Sequence, residues 1–166
     1  KSELTANWIG SRQINMNELR REFYIPQNVL SATVFISGMG YGILYVNGIN
    51  VDPSRRFDPG WTTYTQRVLY VSYDVTQLLQ GQSMNCIGVQ LGLGFYTNEQ
   101  WGGGVPAPAP EVFGPPARLL LQLNLVLSDH STMNISTDTK WLGREGAHRK
   151  DSIYMGTFYD SRAERY

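Results

Sequence analysis

Three carboxylates, Asp52, Asp58 and Glu99, fall in two long connections of this 166-residue chain, DPSRRFDPGWTTY (52–64) and YTNEQWGGGVPAPAPEVFGPP (96–116). Two acids held about 5 to 10 Å apart would suit glycoside hydrolysis. Asp52-Pro53 and Asp58-Pro59-Gly60 are also ordinary turn sequences, in which an Asp side chain accepts hydrogen bonds from nearby backbone. The same connections carry the rings of Trp61, Tyr64, Tyr96 and Trp101 beside Asp52, Asn98 and Glu99. Rings that stack on the apolar C–H face of a sugar, with carboxylate and amide groups that match pairs of hydroxyls, are the chemistry of carbohydrate binding. Asp52, Trp61, Tyr96, Asn98 and Trp101 are the candidate ligand-binding residues. Oxygen donors on irregular loops also suit Ca²⁺, and such an ion can be shared with vicinal sugar hydroxyls.

Other chemistries find little support. The single cysteine, Cys86, excludes an internal disulfide and any multi-thiolate metal site. Its apolar surroundings, NCIGVQLGLGF, suggest a buried and inert thiol. His130 and His148 are the only histidines and lie in polar, turn-like segments, which reads as solvated surface. No GxSxG elbow accompanies them, so a Ser-His-Asp triad has no frame. Neither GxxxxGK[ST] nor GxGxxG occurs between a strand and a helix.

The elements that must hold the two connections are strands. Leu119, Leu121, Leu123, Leu125 and Leu127 alternate with Arg118, Gln122 and Asn124, the period of a half-buried strand. In 86–95, Ile87, Val89, Leu91, Leu93 and Phe95 form one face, and Cys86, Gly88, Gln90, Gly92 and Gly94 the other. Such a glycine-lined face admits close approach of another backbone. Further strands are expected at 22–25, 32–37, 43–51, 66–72, 132–137 and 157–162. Asn47-Gly48 has the residue pair of a type I′ hairpin turn, and Ser128-Asp129-His130-Ser131 reads as a second hairpin. The one helical stretch is short, Tyr73 to Leu79. Many short strands with at most one short helix predict an all-β fold, an antiparallel β-sandwich or jelly roll, as one domain over 1–166. Trp8 and Trp141 flank predicted strands and read as packing residues.

Composition narrows the partners. Fourteen basic residues balance fourteen acidic ones, and 17% of the chain is charged. That balance offers no footprint for a phosphate backbone or an anionic membrane, so neither nucleic acid nor membrane is expected. No apolar run reaches the length of a spanning helix, and KSELTANWIG lacks the basic-then-apolar order of a signal peptide.

Several blocks in fixed order carry a resemblance: ANWIG, ISGMGYGILYVNGINV, FDPGWTTYTQRVLYVSYDVTQLL, IGVQLGLGFY and DSIYMGTFYDSRAE. Together, from about Trp8 to Glu164, they resemble the N-terminal β-sandwich domain of bacterial-type α-L-rhamnosidases of glycoside hydrolase family 78. Such domains are also grouped as carbohydrate-binding module family 67. Leu93 stands where that pattern has Asn, and Thr157 where it has Glu. The resemblance implies a jelly roll that binds L-rhamnose or a rhamnose-terminated glycan with Ca²⁺, held by Asp52 and the neighbourhood of Asn98. It implies no catalysis here, because the family's acids lie in a separate (α/α)₆ barrel, so a catalytic domain in a longer protein is an expected partner. It also implies an extracellular setting. Asn134-Ile135-Ser136 forms a glycosylation sequon on the outward side of its strand, with Met133 and Ile135 inward.

Two functions lead at this level, ahead of a glycosidase in its own right, for which no acid with a raised pKa can be named. One is a sugar-binding module; the other is an accessory domain with the fold but no sugar site, docking through 96–116. A binding site needs convergent, exposed polar groups, whereas a docking loop would present Val105, Val112 and Phe113 as an apolar patch.

Overall fold

The computed structural model describes residues 5–10, 17–55, 59–94, 96, 117–152 and 156–164. The leucine alternation produces β7, Arg118–Leu127. Leu119, Leu121, Leu123, Leu125 and Leu127 all turn into the core. On one side β7 pairs antiparallel with β2, Val29–Met39, and on the other with β8, Thr132–Ser136. β5, Val71–Asp74, adds to the far edge of β2, giving a four-stranded sheet in the order β5-β2-β7-β8. The turn between β7 and β8 holds His130 at φ 64, so the second predicted hairpin is present.

The opposing sheet has five strands in the order β4-β3-β6-β1-β9. Its members are β1 (Glu18–Ile25), β3 (Tyr41–Val46), β4 (Ile49–Asn50), β6 (Ser83–Gly92) and β9 (Leu142–Arg144). Asn47 and Gly48 both take positive φ, 50 and 82, as a type I′ turn requires between β3 and β4. Ile87, Val89 and Leu91 of β6, with Leu19, Phe23 and Ile25 of β1, face the leucines of β7 across one core. This is the antiparallel sandwich that the alternation predicts. The chain passes from β2 to β3, and so from one sheet to the other, at Gly40, where φ is 113. A Cβ there would collide with the Gly92 carbonyl, so only glycine allows the corner.

Several expectations need correction. β6 stops at Gly92, and half-buried Leu93 lies beyond it, because the chain there turns to meet Asp151. The strand expected at 66–72 is Val71–Asp74, set by pairing with Thr33–Ile36. That pairing keeps Tyr73 and Asp74 extended and shrinks the predicted helix to a 3₁₀ turn, Thr76–Leu78. The strand expected at 157–162 is β11, Gly156–Tyr159, followed by a 3₁₀ turn at Ser161–Ala163. His148 is not in a turn: it opens β10, His148–Ser152, which pairs with β11, and its ring meets Tyr159 edge-on at 5.0 Å.

Cys86 is likewise half-buried rather than buried, on the outer side of β6. Desolvation, with Glu22 adding to it, raises its thiol pKa and keeps it protonated and inert. Trp141 is packed, its indole Nε1–H donating to the Ser136 carbonyl at 3.0 Å, while Trp8 is 37% exposed. Asn134 faces solvent and Ile135 the core, as the sequon reading expects.

Candidate functional site

The first long connection leaves β4 through Asn50 and Asp52. Asn50 Oδ1 accepts the Asp52 N–H at 3.1 Å, and Asp52 Oδ1 accepts from the Ser54 N–H at 3.2 Å and the Ser54 hydroxyl at 2.6 Å. These bonds make an Asx turn, the structural role that Asp-Pro predicts. They also favour the ionised carboxylate: the Ser54 hydroxyl first of all, with the Arg55 guanidinium helping, holds Asp52 below the usual carboxylate range. Asp52 therefore presents a fixed negative charge on a loop.

Farther along the same connection, Gly60 turns the chain with φ 87 and Trp61 stands 65% exposed. Trp61 is placed as a stacking platform must be placed. Thr62 beside it is buried and its hydroxyl accepts from Arg67 Nε at 3.1 Å. The chain on the C-terminal side of the exposed ring is thus anchored.

The second connection is tied to the first by two rings. Tyr96 is buried, and it meets Tyr64 edge-on with centroids 5.2 Å apart. Burial pushes the Tyr64 phenol above its ordinary range, and Tyr96 adds to the shift. The structure therefore brings the two connections together, but Tyr96 joins them as packing and not as an open platform. Asn98 and Trp101, expected to bind ligand, and Asp58, Glu99, Val105, Val112 and Phe113 lie outside the described residues.

Calcium can be judged on Asp52 alone. Its Oδ1 is committed to Ser54, its Oδ2 is a hard donor suited to the ion, and Arg55 brings positive charge close by. Ca²⁺ takes roughly six to eight oxygens, and among the described residues no group of three His, Cys, Asp or Glu side chains could hold a metal. Asp52 and its described neighbours do not by themselves fit a calcium ion.

Sequence reading missed Asp151, on β10. It carries the most buried of the shifted carboxylates among the described residues, and it accepts the Leu93 N–H on both oxygens, at 3.1 and 2.9 Å. The Gly94 N–H contributes as well. Gly92 makes room, since a Cβ there would sit 2.8 Å from Asp151 Oδ2. Asp151 thereby fixes the start of the second connection. A contact between residues 58 positions apart leaves no local mark in the sequence.

The described residues form an all-β domain, an antiparallel sandwich whose first long connection carries a carboxylate and an exposed tryptophan and meets Tyr96 through Tyr64. The chain belongs to the α-L-rhamnosidase N-terminal domain family, whose model matches residues 27–166. It spans 14% to 18% of the length of the curated α-L-rhamnosidases it matches. Among solved structures, a native α-L-rhamnosidase from Aspergillus terreus is 30% identical over 96% of this chain and 19% of that one, with a TM-score of 0.85. An α-L-rhamnosidase from Streptomyces avermitilis, complexed with L-rhamnose, is 29% identical over 90% of this chain and 14% of that one, with a TM-score of 0.79. A lectin from Pleurotus ostreatus shares the fold alone: 18% identity over 93% of this chain and 40% of that one, TM-score 0.55.

Proposed function

We propose that this domain is a non-catalytic sugar-binding module of an α-L-rhamnosidase, recognising L-rhamnose or a rhamnose-terminated glycan outside the cell. The observation that carries the reading is Trp61, an exposed indole beside the anchored Thr62, in the same connection as the ionised Asp52. A sugar would stack on the indole and donate hydroxyl hydrogen bonds to the carboxylate. The relative solved with L-rhamnose adds the choice of ligand. Calcium belongs to the proposal through Asp52 with Asn98. Catalysis is assigned to the remainder of the longer enzyme, of which this chain matches a small part.

A second reading, an accessory domain that docks on that remainder, is favoured by one observation. Tyr96 is spent on packing against Tyr64 and withdrawn from any ligand surface.

Calorimetric titration of the chain with L-rhamnose, in millimolar calcium and in excess chelator, separates the two. A shallow single site should bind in roughly the micromolar to millimolar range, because few contacts offset the ordering cost. Saturable heat that falls in Asp52→Ala and Trp61→Ala is the expected result, and its loss in chelator would establish calcium. No heat from folded protein in either buffer would leave the docking reading.

A further inference from the structure

The outward face of the five-stranded sheet carries a groove of about 720 Å³. Gly88, in the middle of β6, lies on its floor, opposite Tyr45 of β3 on one side and Arg20 of β1 on the other. The next outward position, Gln90, lies opposite Ile43 and Glu18. Glu18 in turn faces Arg144 of β9, and Arg20 faces Leu142. Period-two alternation puts these residues on one side of the sheet, because Leu19, Val89 and Leu44 between them point into the core.

Gly88 needs explaining. Glycine inside a strand is unfavourable and usually marks positive φ or a close backbone approach. Gly88 is not among the positive-φ glycines, and a Cβ there would meet Tyr45 Cβ at 3.8 Å and the Leu19 carbonyl at 4.0 Å, ordinary contact distances. Nothing in the fold demands glycine at this position; its effect is to keep the groove open.

The lining selects its ligand by charge. Arg144 Nε pairs with Glu18 at 2.6 Å and Arg20 with Glu22 at 3.4 Å. An anion would have to compete with both carboxylates, and a wholly apolar ligand would cover charges without giving them partners. A neutral polyhydroxyl ligand can donate to Glu18, accept from Arg20 and do both with the Gln90 amide. Tyr45 supplies apolar surface for the C–H face of a ring, and the volume lies within the range of small-ligand sites.

We propose that this groove is a second saccharide subsite, taking a neutral one- or two-ring sugar over Gly88 between Tyr45 and Arg20. Asp52 and Trp61 do not line it, so it is separate from the loop site, although it rests on the same reading of the domain as a carbohydrate binder.

The test is an amide chemical-shift titration of the ¹⁵N-labelled chain with L-rhamnose and with rutinose, on wild type, Gly88→Thr, Arg20→Ala and Asp52→Ala. Threonine suits a strand and fills the floor. Saturable shifts at Arg20, Tyr45, Gly88 and Gln90 are expected, persisting in Asp52→Ala and weakened at least about tenfold in Gly88→Thr, the loss of one good contact set. Arg20→Ala, exposed and outside the core, should weaken them too and covers any misfolding of the first variant. Shifts confined to the neighbourhood of Asp52 and Trp61 would overturn the subsite and leave the loop reading standing. Groove shifts lost in Asp52→Ala would overturn its separateness. Groove shifts that follow protein concentration instead of sugar would make this face a self-association surface and overturn it. Silence throughout would overturn both sites.

Discussion

Asp151 on β10 accepts the backbone N–H of Leu93, just past the end of β6, on both carboxylate oxygens, at 3.1 and 2.9 Å. Burial is the largest influence on this carboxyl and raises its pKa, against the lowering effect of the Leu93 N–H, His148 and the Gly94 N–H. A carboxyl with a raised folded pKa binds its proton more tightly folded than unfolded. Its contribution to stability is therefore full below the ordinary value of 3.8 and declines as pH rises through the raised value. Asp151→Asn keeps an acceptor for Leu93 without a buried charge. Wild type should lose stability relative to that variant as pH rises above the ordinary value of 3.8 and through the raised one, measured as the difference in urea midpoints. A difference independent of pH would show that Asp151 titrates normally. Asp151→Ala, which leaves the Leu93 N–H without its acceptor, should cost about 1–3 kcal/mol.

Asp52 has the opposite sign. Ser54 lowers its pKa, so any stability it supplies is present above the ordinary carboxylate value and disappears as pH falls through the lowered one. Rhamnose affinity that depends on the ionised carboxylate should hold from neutrality down to about pH 5 and fail only below the usual carboxylate range. Titrations across that range would check it. A midpoint near neutrality would assign the pH dependence to another group, and Asp52→Ala should leave the thermal midpoint nearly unchanged because the carboxylate supports no core packing.

The strands that alternate most regularly were legible from their residues, and two that do not alternate were missed. Leu119 to Leu127 and Ile87 to Leu91 each bury one face, so their period shows directly. Leu142–Arg144 is exposed at all three positions and pairs only with β1, so it has no buried face to reveal. His148–Ser152, HRKDS, is polar because it belongs to a two-stranded sheet outside the sandwich. Of the site, Trp61 and Asp52 were visible because loop aromatics and Asp-Pro turns are local features. Tyr96 looked the same in sequence as an exposed ring, and only its partner Tyr64 distinguishes it.

Asn85, buried, ties the β3–β4 turn to the connection before β6. Its Nδ2 donates to the Gln80 carbonyl at 2.8 Å and the Ser83 carbonyl at 3.1 Å, while its Oδ1 accepts from Gln80 N at 2.9 Å and Asn47 Nδ2 at 2.9 Å. Asn47 also donates to the Leu78 carbonyl at 2.8 Å and accepts the Cys86 N–H at 2.8 Å. Asn85→Leu fills similar space but strands these partners, at about 1–3 kcal/mol for each group left buried without a bond. Chemical denaturation should show a lowered midpoint with unchanged slope. A near-neutral result would mean that water replaces the amide.

Leu123 is fully buried at the centre of β7, opposite Val34 of β2 and Ile135 of β8. Leu123→Asp removes that packing and places a carboxylate where the cross-strand neighbours are hydrocarbon. Losing the side chain alone costs about 2–5 kcal/mol, and the buried unpaired charge adds several kcal/mol unless the group protonates. Native domains are stable by only about 5–15 kcal/mol, so the variant should be unfolded at neutral pH, with no cooperative thermal transition by circular dichroism. Part of the fold should return on acidification, as the introduced carboxyl takes up a proton and the charge cost disappears. Leu120→Asp, three residues away on the half-buried outer side of the same strand, removes less packing and keeps the charge near water. It should remain folded. A cooperative Leu123→Asp protein beside an unfolded Leu120→Asp protein would mean that the two faces of β7 are reversed.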